Sequence, residues 1–211
     1  MTPTTVHLFV FDGLSDWEAG YAVAGIHNPR FQAQPGRYRV RTAALRASPV
    51  TTMGGVRILP DLLLENVTPA DSAMLILPGG DAWEAPHAGQ GGAQAVRVAA
   101  AFLEAGIPVA AICAATAGLA RGGLLDRRRH TSNARAYLAA TGYGGGALYV
   151  DAPAVADRGV ITATGIAPVD FAREIFRALA LYPPPVLAAW YALFKTGDAG
   201  HFETLVHAAG G

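Results

Sequence analysis

The stretch PVAAICAATAGLARGGLLD, residues 108–126, decides the fold of this chain. Its first part is a short apolar run that ends at Ile112, which is typical of a strand buried on both faces of a parallel sheet. After Cys113, alanine and leucine side chains recur at helical spacing. The turn between the strand and the helix therefore falls on Cys113, the only cysteine in the chain.

Small residues flank Cys113 on both sides. The order Ala111-Ile112-Cys113-Ala114-Ala115 follows the small-x-nucleophile-x-small pattern of a nucleophile elbow. A sharp strand-to-helix turn brings backbones close together, and the first amides of the helix point at the sulfur. We therefore expect a reactive cysteine with a lowered thiol pKa. The alternative is a buried structural cysteine that packs as a small hydrophobic residue.

Length and charge exclude several classes of protein. The 211 residues suit a single domain over 1–211, with a core at about 4–180 and C-terminal helices at 184–207. Sixteen basic and sixteen acidic residues cancel, so we expect neither nucleic acid nor a membrane as partner. Residues 1–13 lack the basic region of a signal peptide, and no apolar run approaches the ~18 residues of a membrane span. We expect a cytoplasmic protein.

The rest of the chain alternates between strand and helix patterns. Strands are predicted at residues 5–11, 37–45, 73–77, 148–151 and 159–163, with a hairpin within 49–58. Helices are predicted at residues 15–26, 94–105 and 169–179, with helical pieces at 187–194 and 202–206 after a break at the prolines 183–185. This alternation predicts an α/β fold, a mostly parallel sheet sandwiched by helices.

Two carboxylates follow the first predicted strand. Asp16 and Glu18 flank Trp17 just past the carboxyl end of that strand, where open α/β sheets place their ligand crevice. An acid beside the indole can be desolvated and held protonated. The alternative is that both acids begin a helix and are stabilised by its macrodipole.

A pair of glycines ends the middle strand. Gly79 and Gly80 follow Pro78 and allow backbone amides to approach a ligand closely, which is how an oxyanion hole is built. A plain turn needs only one glycine. The chain has no G-x-G-x-x-G or G-x-x-x-x-G-K-[ST] motif, so we expect no nucleotide cofactor.

Together, GLSDWE, LPGGDAWE and AAICAATAGLA resemble, in this order and spacing, the ThiJ/PfpI superfamily, a branch of the class I glutamine-amidotransferase-like fold. The resemblance covers residues 4–180 and implies a flavodoxin-like fold. It implies that Cys113 is the nucleophile and that Glu18 hydrogen-bonds the thiol, with Asp16 as the substitute if the register differs by a turn. It also implies oxyanion-hole donors among Gly79, Gly80 and Ala114.

The histidines depart from the pattern of the family. Members of the superfamily carry a histidine directly after the cysteine or on the segment after the elbow helix, but this chain has Ala114 and Asn133 there. His130 lies three residues earlier and is a candidate catalytic residue or a packing residue. His201-Phe202-Glu203 has the letters of a glutaminase triad, but it follows the closing helix, so glutamine hydrolysis is not expected. The histidines show no metal-ligand spacing, and we expect no metal.

Three functions are compatible with these residues. The resemblance implies a hydrolase or hydratase in which Cys113 attacks an electrophilic carbon of a small molecule, such as an α-oxoaldehyde or an isonitrile. The first alternative is an intracellular cysteine peptidase or amidase. The second is a redox sensor or chaperone without turnover, in which Cys113 is oxidised to a sulfinic acid. The resemblance also implies a homodimer.

Overall fold

A seven-stranded sheet forms the centre of the protein. The structure, a computed structural model, describes residues 3–84 and 92–210. Its strands are β1 (Thr4–Phe9), β2 (Tyr38–Ala44), β3 (Val50–Thr51), β4 (Arg57–Ile58), β5 (Leu62–Leu63), β6 (Ser72–Leu77), β7 (Val109–Ile112), β8 (Ala154–Asp157) and β9 (Val160–Ala163). The spatial order is β5-β2-β1-β6-β7-β9-β8, and β3 pairs with β4 as a separate hairpin. Neighbours in the large sheet are parallel except β8 and β9.

Helices flank the sheet. They are α1 (Asp16–His27), α2 (Gly92–Glu104), α3 (Ala114–Arg121), α4 (Arg135–Ala139), α5 (Pro168–Ala178), α6 (Pro184–Thr196) and α7 (Gly200–Ala208). Helix α1 packs against α5, and α5 against α6, while α2 packs against α3. Every residue of β7 and β9 is buried, as expected for strands that are covered on both faces. The predicted α/β fold, a mostly parallel sheet between helices, is confirmed. No helix in the described ranges is long and apolar enough to cross a membrane.

One detail of the prediction is wrong. Residues 148–151 form no strand, because Tyr149 makes only a single bridge with His130 and no ladder follows. The strand lies further on, at β8, which pairs with β9 across the tight turn at 158–159. The predicted break at the prolines 183–185 lies between α5 and α6, and Pro184 and Pro185 occupy the first turn of α6, where a backbone N–H is not needed.

The parallel strands bring four loops to one edge of the sheet. β1, β6, β7 and β9 all point in the same direction, so the segments that follow them emerge together. From β1 the chain continues to β2 on one side, and from β6 it continues to β7 on the other side, so the strand order reverses between β1 and β6. Open α/β sheets bind ligands in the crevice where the strand order reverses. The loop after β6 and the elbow after β7 therefore lie next to the start of α1.

Candidate functional site

Cys113 lies at the turn between β7 and α3, as the elbow pattern predicts. Its backbone has φ 58° and ψ −126°, a conformation that residues other than glycine rarely adopt. The turn is held by the Cys113 amide, which donates to Ala163 O at 3.0 Å, and by Thr116, whose amide and hydroxyl donate to Cys113 O at 3.1 and 2.6 Å. These bonds fix the thiol at the carboxyl edge of the sheet.

Gly79 lies between the thiol and Glu18. A Cβ at this position would lie 2.7 Å from the Cβ of Cys113, 2.9 Å from Oε2 of Glu18 and 3.0 Å from the amide nitrogen of Ala114. No side chain fits there, so a glycine is required by space alone. The loop after β6 thereby brings its backbone into contact with the thiol of Cys113 and with the carboxyl group of Glu18.

Glu18 is buried, with 1% of its surface exposed. Its Oε2 accepts from Gly79 N–H at 2.5 Å, whereas Oε1 has no hydrogen-bond partner among the residues that the structure describes. Burial raises the pKa of Glu18, against the smaller effects of the Gly79 amide, the Cys113 thiol and Ser15. Glu18 therefore has a raised proton affinity and one unsatisfied oxygen.

The pKa of the thiol is raised rather than lowered. Burial raises the pKa of Cys113 to about 11, and the Glu18 carboxylate acts in the same direction. Hydrogen bonds from the Asn133 side chain and the Ala114 amide lower it, but their effect is smaller in sum. The predicted lowering of the thiol pKa is wrong, because desolvation of the thiolate outweighs the amides at the N-terminus of α3.

Asn133 connects the thiol to the loop after β9. Its Nδ2 donates to Sγ of Cys113 at 3.2 Å, and its Oδ1 accepts from Gly165 N–H at 2.9 Å. Trp17 closes this chain of hydrogen bonds, since its Nε1 donates to Gly165 O at 3.1 Å. A Cβ at Gly165 would lie 2.7 Å from Sγ, so this glycine packs directly on the thiol of Cys113. The site is therefore framed by glycines from two neighbouring loops.

The sequence indicated two of these residues without giving their role. Asn133 occupies the place where the resemblance expected a histidine, but only the structure brings its amide to the sulfur. Gly165 lies just after β9, and β9 is the neighbour of β7 in the sheet. Its place after that strand was the feature that indicated a position near Cys113. No sequence pattern indicated a role for Tyr137 of α4. Its hydroxyl donates to Glu84, and its pKa is raised by burial and by the charges of Glu84 and Cys113.

Two of the three expected oxyanion-hole amides are free. The N–H groups of Gly80 and Ala114 donate to no backbone carbonyl within residues 3–84 and 92–210, and the amide of Ala114 is directed at the sulfur of Cys113. The amide of Ala114 still lies close enough to Cys113 to lower the thiol pKa. The amide of Gly79 is different, because it is already donated to Glu18. Gly79 therefore holds the carboxyl group and is not available to a developing oxyanion.

His130 and Asp16 are not brought to the thiol. The ring nitrogens of His130 bond to Arg128 O at 2.7 Å and to the Tyr143 hydroxyl at 2.8 Å, and the residue is fully buried. Asp16 accepts from Gly54 N–H at 2.7 Å, and hydrogen bonds from Thr52 and Gly54 lower its pKa. His130 therefore has a packing role, and Asp16 holds the β3–β4 hairpin.

The remaining candidate motifs lie away from this site. His201 and Glu203 belong to α7, which packs on α6. In the described part of the chain, no group of three His, Cys, Asp or Glu side chains is arranged to hold a metal ion. His87 falls outside the described residues.

Comparison with known proteins gives one consistent result. A sequence model described as the DJ-1/PfpI family matches residues 4–178. A Bacillus subtilis (strain 168) protein named uncharacterized protease YoaZ is 37% identical over 211 residues, which is 98% of this chain and 98% of that protein. A second protein of that organism, named uncharacterized protease YdeA, is 28% identical over 171 residues, 81% of this chain and 80% of that protein.

Solved structures agree with the sequence matches. A thiJ/pfpI family protein from Bacillus anthracis superposes with a TM-score of 0.88 at 37% identity, covering 99% of this chain and 98% of that one. A DJ-1 superfamily protein from Agrobacterium tumefaciens superposes with a TM-score of 0.81 at 33% identity, covering 92% of this chain and 100% of that one.

Proposed function

Because the chain belongs to the DJ-1/PfpI family, we propose that it is a cysteine-dependent hydrolase or hydratase that acts on an electrophilic carbon of a small molecule. The substrate classes are α-oxoaldehydes and isonitriles. Cys113 is the nucleophile, Glu18 moves the proton, and the amides of Gly80 and Ala114 stabilise developing negative charge. Asn133 orients the sulfur.

One observation carries this proposal. A thiol on a strained elbow, a buried carboxyl group with an unpartnered Oε1 and two amides that donate to no backbone carbonyl among the described residues meet at one edge of the sheet. Neither a structural cysteine nor a helix-start acid needs free donors and acceptors beside it. A substrate carbonyl between the thiol and the amides would satisfy these groups together.

The first step forms a bond between Sγ of Cys113 and the aldehyde carbon of an α-oxoaldehyde. The thiol proton passes to Glu18, whose pKa is raised by burial, so no free thiolate has to form beforehand. The electron pair of the carbonyl bond moves to oxygen, where the amides of Gly80 and Ala114 donate to it. Glu18 then returns the proton to this oxygen and leaves a hemithioacetal.

Water completes the reaction without an oxidant. Glu18 moves the hydrogen of the aldehyde carbon, as a proton, to the ketone carbon, and the hydroxyl proton of the hemithioacetal moves to the former ketone oxygen. The former aldehyde carbon becomes the carbonyl of a thioester, and the former ketone carbon carries a hydroxyl group. Water attacks the thioester, the C–S bond breaks, and a 2-hydroxy acid and the Cys113 thiol are released. With an isonitrile, the terminal carbon takes both the sulfur and the proton from Glu18. Water then adds to this thioimidate carbon, the C–S bond breaks, and an N-substituted formamide leaves.

The test is turnover by the purified chain with methylglyoxal and with an alkyl isonitrile, followed by NMR of the 2-hydroxy acid or formamide product. We expect Cys113→Ser and Glu18→Gln each to abolish product formation. Asp16→Asn is the matched control, because it changes a neighbouring carboxylate that bonds to Gly54 instead of facing the thiol. Full turnover in Cys113→Ser would refute the proposal.

A peptidase or amidase is the second candidate, supported by the names of the two Bacillus subtilis relatives. Acyl transfer from an amide needs a proton donor for the leaving amine, and His130 is bonded elsewhere. Protonated Glu18 would have to serve instead. Casein and fluorogenic peptide substrates, assayed with the same variants, test this reading. Cleavage that depends on Cys113, without turnover of either small molecule, would favour it.

A redox sensor is the weaker alternative. Sensor cysteines combine exposure with a low pKa, whereas burial raises the pKa of Cys113 to about 11. Mass spectrometry after mild peroxide treatment tests it. A sulfinic acid formed at low peroxide by a protein without turnover would support this role.

We propose a cytoplasmic homodimer as the working form. The support is apolar exposure on the C-terminal helices, where Phe194 is 43% and Phe202 45% exposed. Sedimentation of the wild type and of Phe194→Ser tests this, since a dimer that uses this face dissociates in the variant.

A further inference from the structure

A cavity lies at the opposite end of β1 from the loop that leads to Glu18. It measures about 550 Å³, and its lining includes Thr5, His7, Arg39, Arg41, Thr68 and Asp71. Thr5 belongs to the amino-terminal part of β1, whereas the site of Cys113 and Glu18 is at the carboxyl edge of the sheet. The two places are therefore separate.

The register of two strands puts the cavity on one face of the sheet. Thr5 pairs with Arg39 and His7 with Arg41 in the parallel ladder of β1 and β2. Alternate residues of a strand share a face, so these four side chains stand together. The chain between β5 and β6 forms only two short turns, at Leu64–Asn66 and Pro69–Asp71. No long helix in this connection fills the space above the four side chains.

The cavity presents cationic donors that are largely unused. Nε of Arg39 donates to the Thr5 hydroxyl at 3.2 Å, and one terminal nitrogen of Arg41 donates to Asp61 O at 3.2 Å. Within residues 3–84 and 92–210, no carboxylate forms an ion pair with either arginine. Asp71 lines the cavity as its one acid and is exposed. Two guanidinium groups against one carboxylate leave a net positive charge.

His7 is a buried residue in the lining of this cavity. It is 6% exposed, and its Nδ1 is buried without a hydrogen-bond partner in the described part of the chain. Its ring packs edge-on against Phe102 of α2. Burial lowers the pKa of His7 to about 4, and the charges of Arg41 and Arg39 act in the same direction. Arg39 is exposed and Arg41 partly buried, and both repel the protonated form of this imidazole. An anion bound between the two guanidinium groups would offset their positive charge.

We propose that this cavity binds a small oxyanion, a carboxylate or a phosphate, between Arg39, Arg41 and His7. The terminal N–H groups of both arginines bond to its oxygens, and the Thr68 hydroxyl lies among the further donors. Guanidinium groups suit such ligands because they present paired N–H donors to planar or tetrahedral oxyanions. Binding of the oxyanion at this cavity does not require Cys113, which is not among the lining residues.

The test is a titration of the isotope-labelled full chain, followed by amide NMR shifts at constant ionic strength. Inorganic phosphate is added in one arm, succinate in a second and sodium chloride in a third. We expect saturable shifts at Thr5, His7 and Arg41 with phosphate or with succinate, and the stronger arm identifies the ligand class. Arg39→Gln and Arg41→Gln should each weaken binding about tenfold, the loss of one charge-assisted contact.

Two further variants separate a built site from general effects. Arg57→Gln, in the exposed strand β4, is the matched control and should leave binding unchanged. Cys113→Ser should also leave binding unchanged, so this proposal and the proposed function fail separately. Shifts that rise linearly in all three arms, or saturable shifts that persist in both arginine variants, would overturn the oxyanion site. Arg41→Lys keeps the charge and serves if Arg41→Gln does not fold.

Discussion

Burial governs the proton chemistry of the two reactive side chains. The pKa of Glu18 and the pKa of Cys113 are both raised, because each charged form would lose its hydration between Gly79 and the elbow. The thiol holds its proton in the resting protein, and Glu18 is the adjacent group that can take it. We therefore expect activation at the moment of attack and not a standing thiolate.

The first prediction concerns the reactivity of Cys113. The rate of alkylation by iodoacetamide should keep rising with pH beyond 9, because burial raises the thiol pKa to about 11. In Glu18→Gln the rate profile should shift to lower pH, since the carboxylate that repels the thiolate is gone. Mass spectrometry reads this directly, because Cys113 is the only cysteine.

The rate of alkylation and the rate of turnover should change in opposite directions in Glu18→Gln. Glu18→Gln should alkylate faster at a given pH while its turnover disappears, because the proton acceptor is lost. A wild-type profile that levels off below pH 7 would contradict the raised pKa. An unchanged profile in the variant would show that the two groups do not interact.

The second prediction separates two roles of Asn133. Asn133→Ala removes the Nδ2 donor to sulfur and the Oδ1 acceptor of Gly165 N–H. Asn133→Asp keeps an acceptor for Gly165 but loses the donor. If the donor matters, turnover should fall about 100-fold in both variants, the usual effect of losing one catalytic hydrogen-bond donor. A fall in Asn133→Ala alone would assign Asn133 to holding the loop.

At the scale of elements, two loops fix the geometry of the elbow. The loop after β6 presses Gly79 against the Cβ of Cys113, and the loop after β9 presses Gly165 against its sulfur. Strands β6 and β9 are the two neighbours of β7, so their loops reach the thiol from both sides. The glycines act by leaving space and not by flexibility.

The third prediction tests this spacing. Gly79→Ala would place a methyl group 2.7 Å from the Cβ of Cys113 and 2.9 Å from Oε2 of Glu18, so the two groups must separate. Turnover should fall about 100-fold or more, as small displacements of reacting groups do. Steady-state kinetics and the melting temperature would be measured together.

Gly20→Ala is the control for this change. Gly20 lies in α1, and a Cβ there would meet nothing within 4 Å. The substitution should keep activity and stabilise the fold by up to about 1 kcal/mol, the helix preference of alanine over glycine. Equal activity of Gly79→Ala and Gly20→Ala would remove the steric role of Gly79.

At the scale of the whole molecule, His7 links stability to pH. Its folded pKa of about 4 lies below its ordinary value of 6.5, so between these limits the unfolded chain binds the proton more strongly. His7 therefore does not lower the free energy of unfolding above pH 6.5, and this free energy decreases as the pH falls from 6.5 towards 4. The loss is at most about 3 kcal/mol.

The fourth prediction follows from this sign. Chemical denaturation of the wild type at several pH values should show stability falling between pH 6.5 and 4, and His7→Gln should lose less over the same range. His207→Gln, at an exposed position of α7, is the control and should behave as the wild type. A fall that is identical in all three proteins would show that His7 does not carry it.

The sequence alone determined the architecture and the position of Cys113 at the turn between a buried strand and a helix. Short apolar runs that alternate with helical spacing specify buried parallel strands, because both patterns are local consequences of which faces are covered. The small residues around Cys113 specify the elbow for the same local reason. A short β-prone segment is less decisive, and residues 148–151 were misassigned because pairing with a partner strand decides whether a strand forms.

The tertiary structure decided which residues meet Cys113 and how they hold their protons. Asn133, Gly165 and Glu18 are far apart in sequence, and only the order of β1, β6, β7 and β9 brings their loops to one thiol. His130 was a candidate for either a catalytic or a packing role in the sequence, and its ring is bonded to Arg128 and Tyr143. The thiol pKa likewise depends on burial, which is a property of the packed molecule, so no local pattern of residues could give its direction.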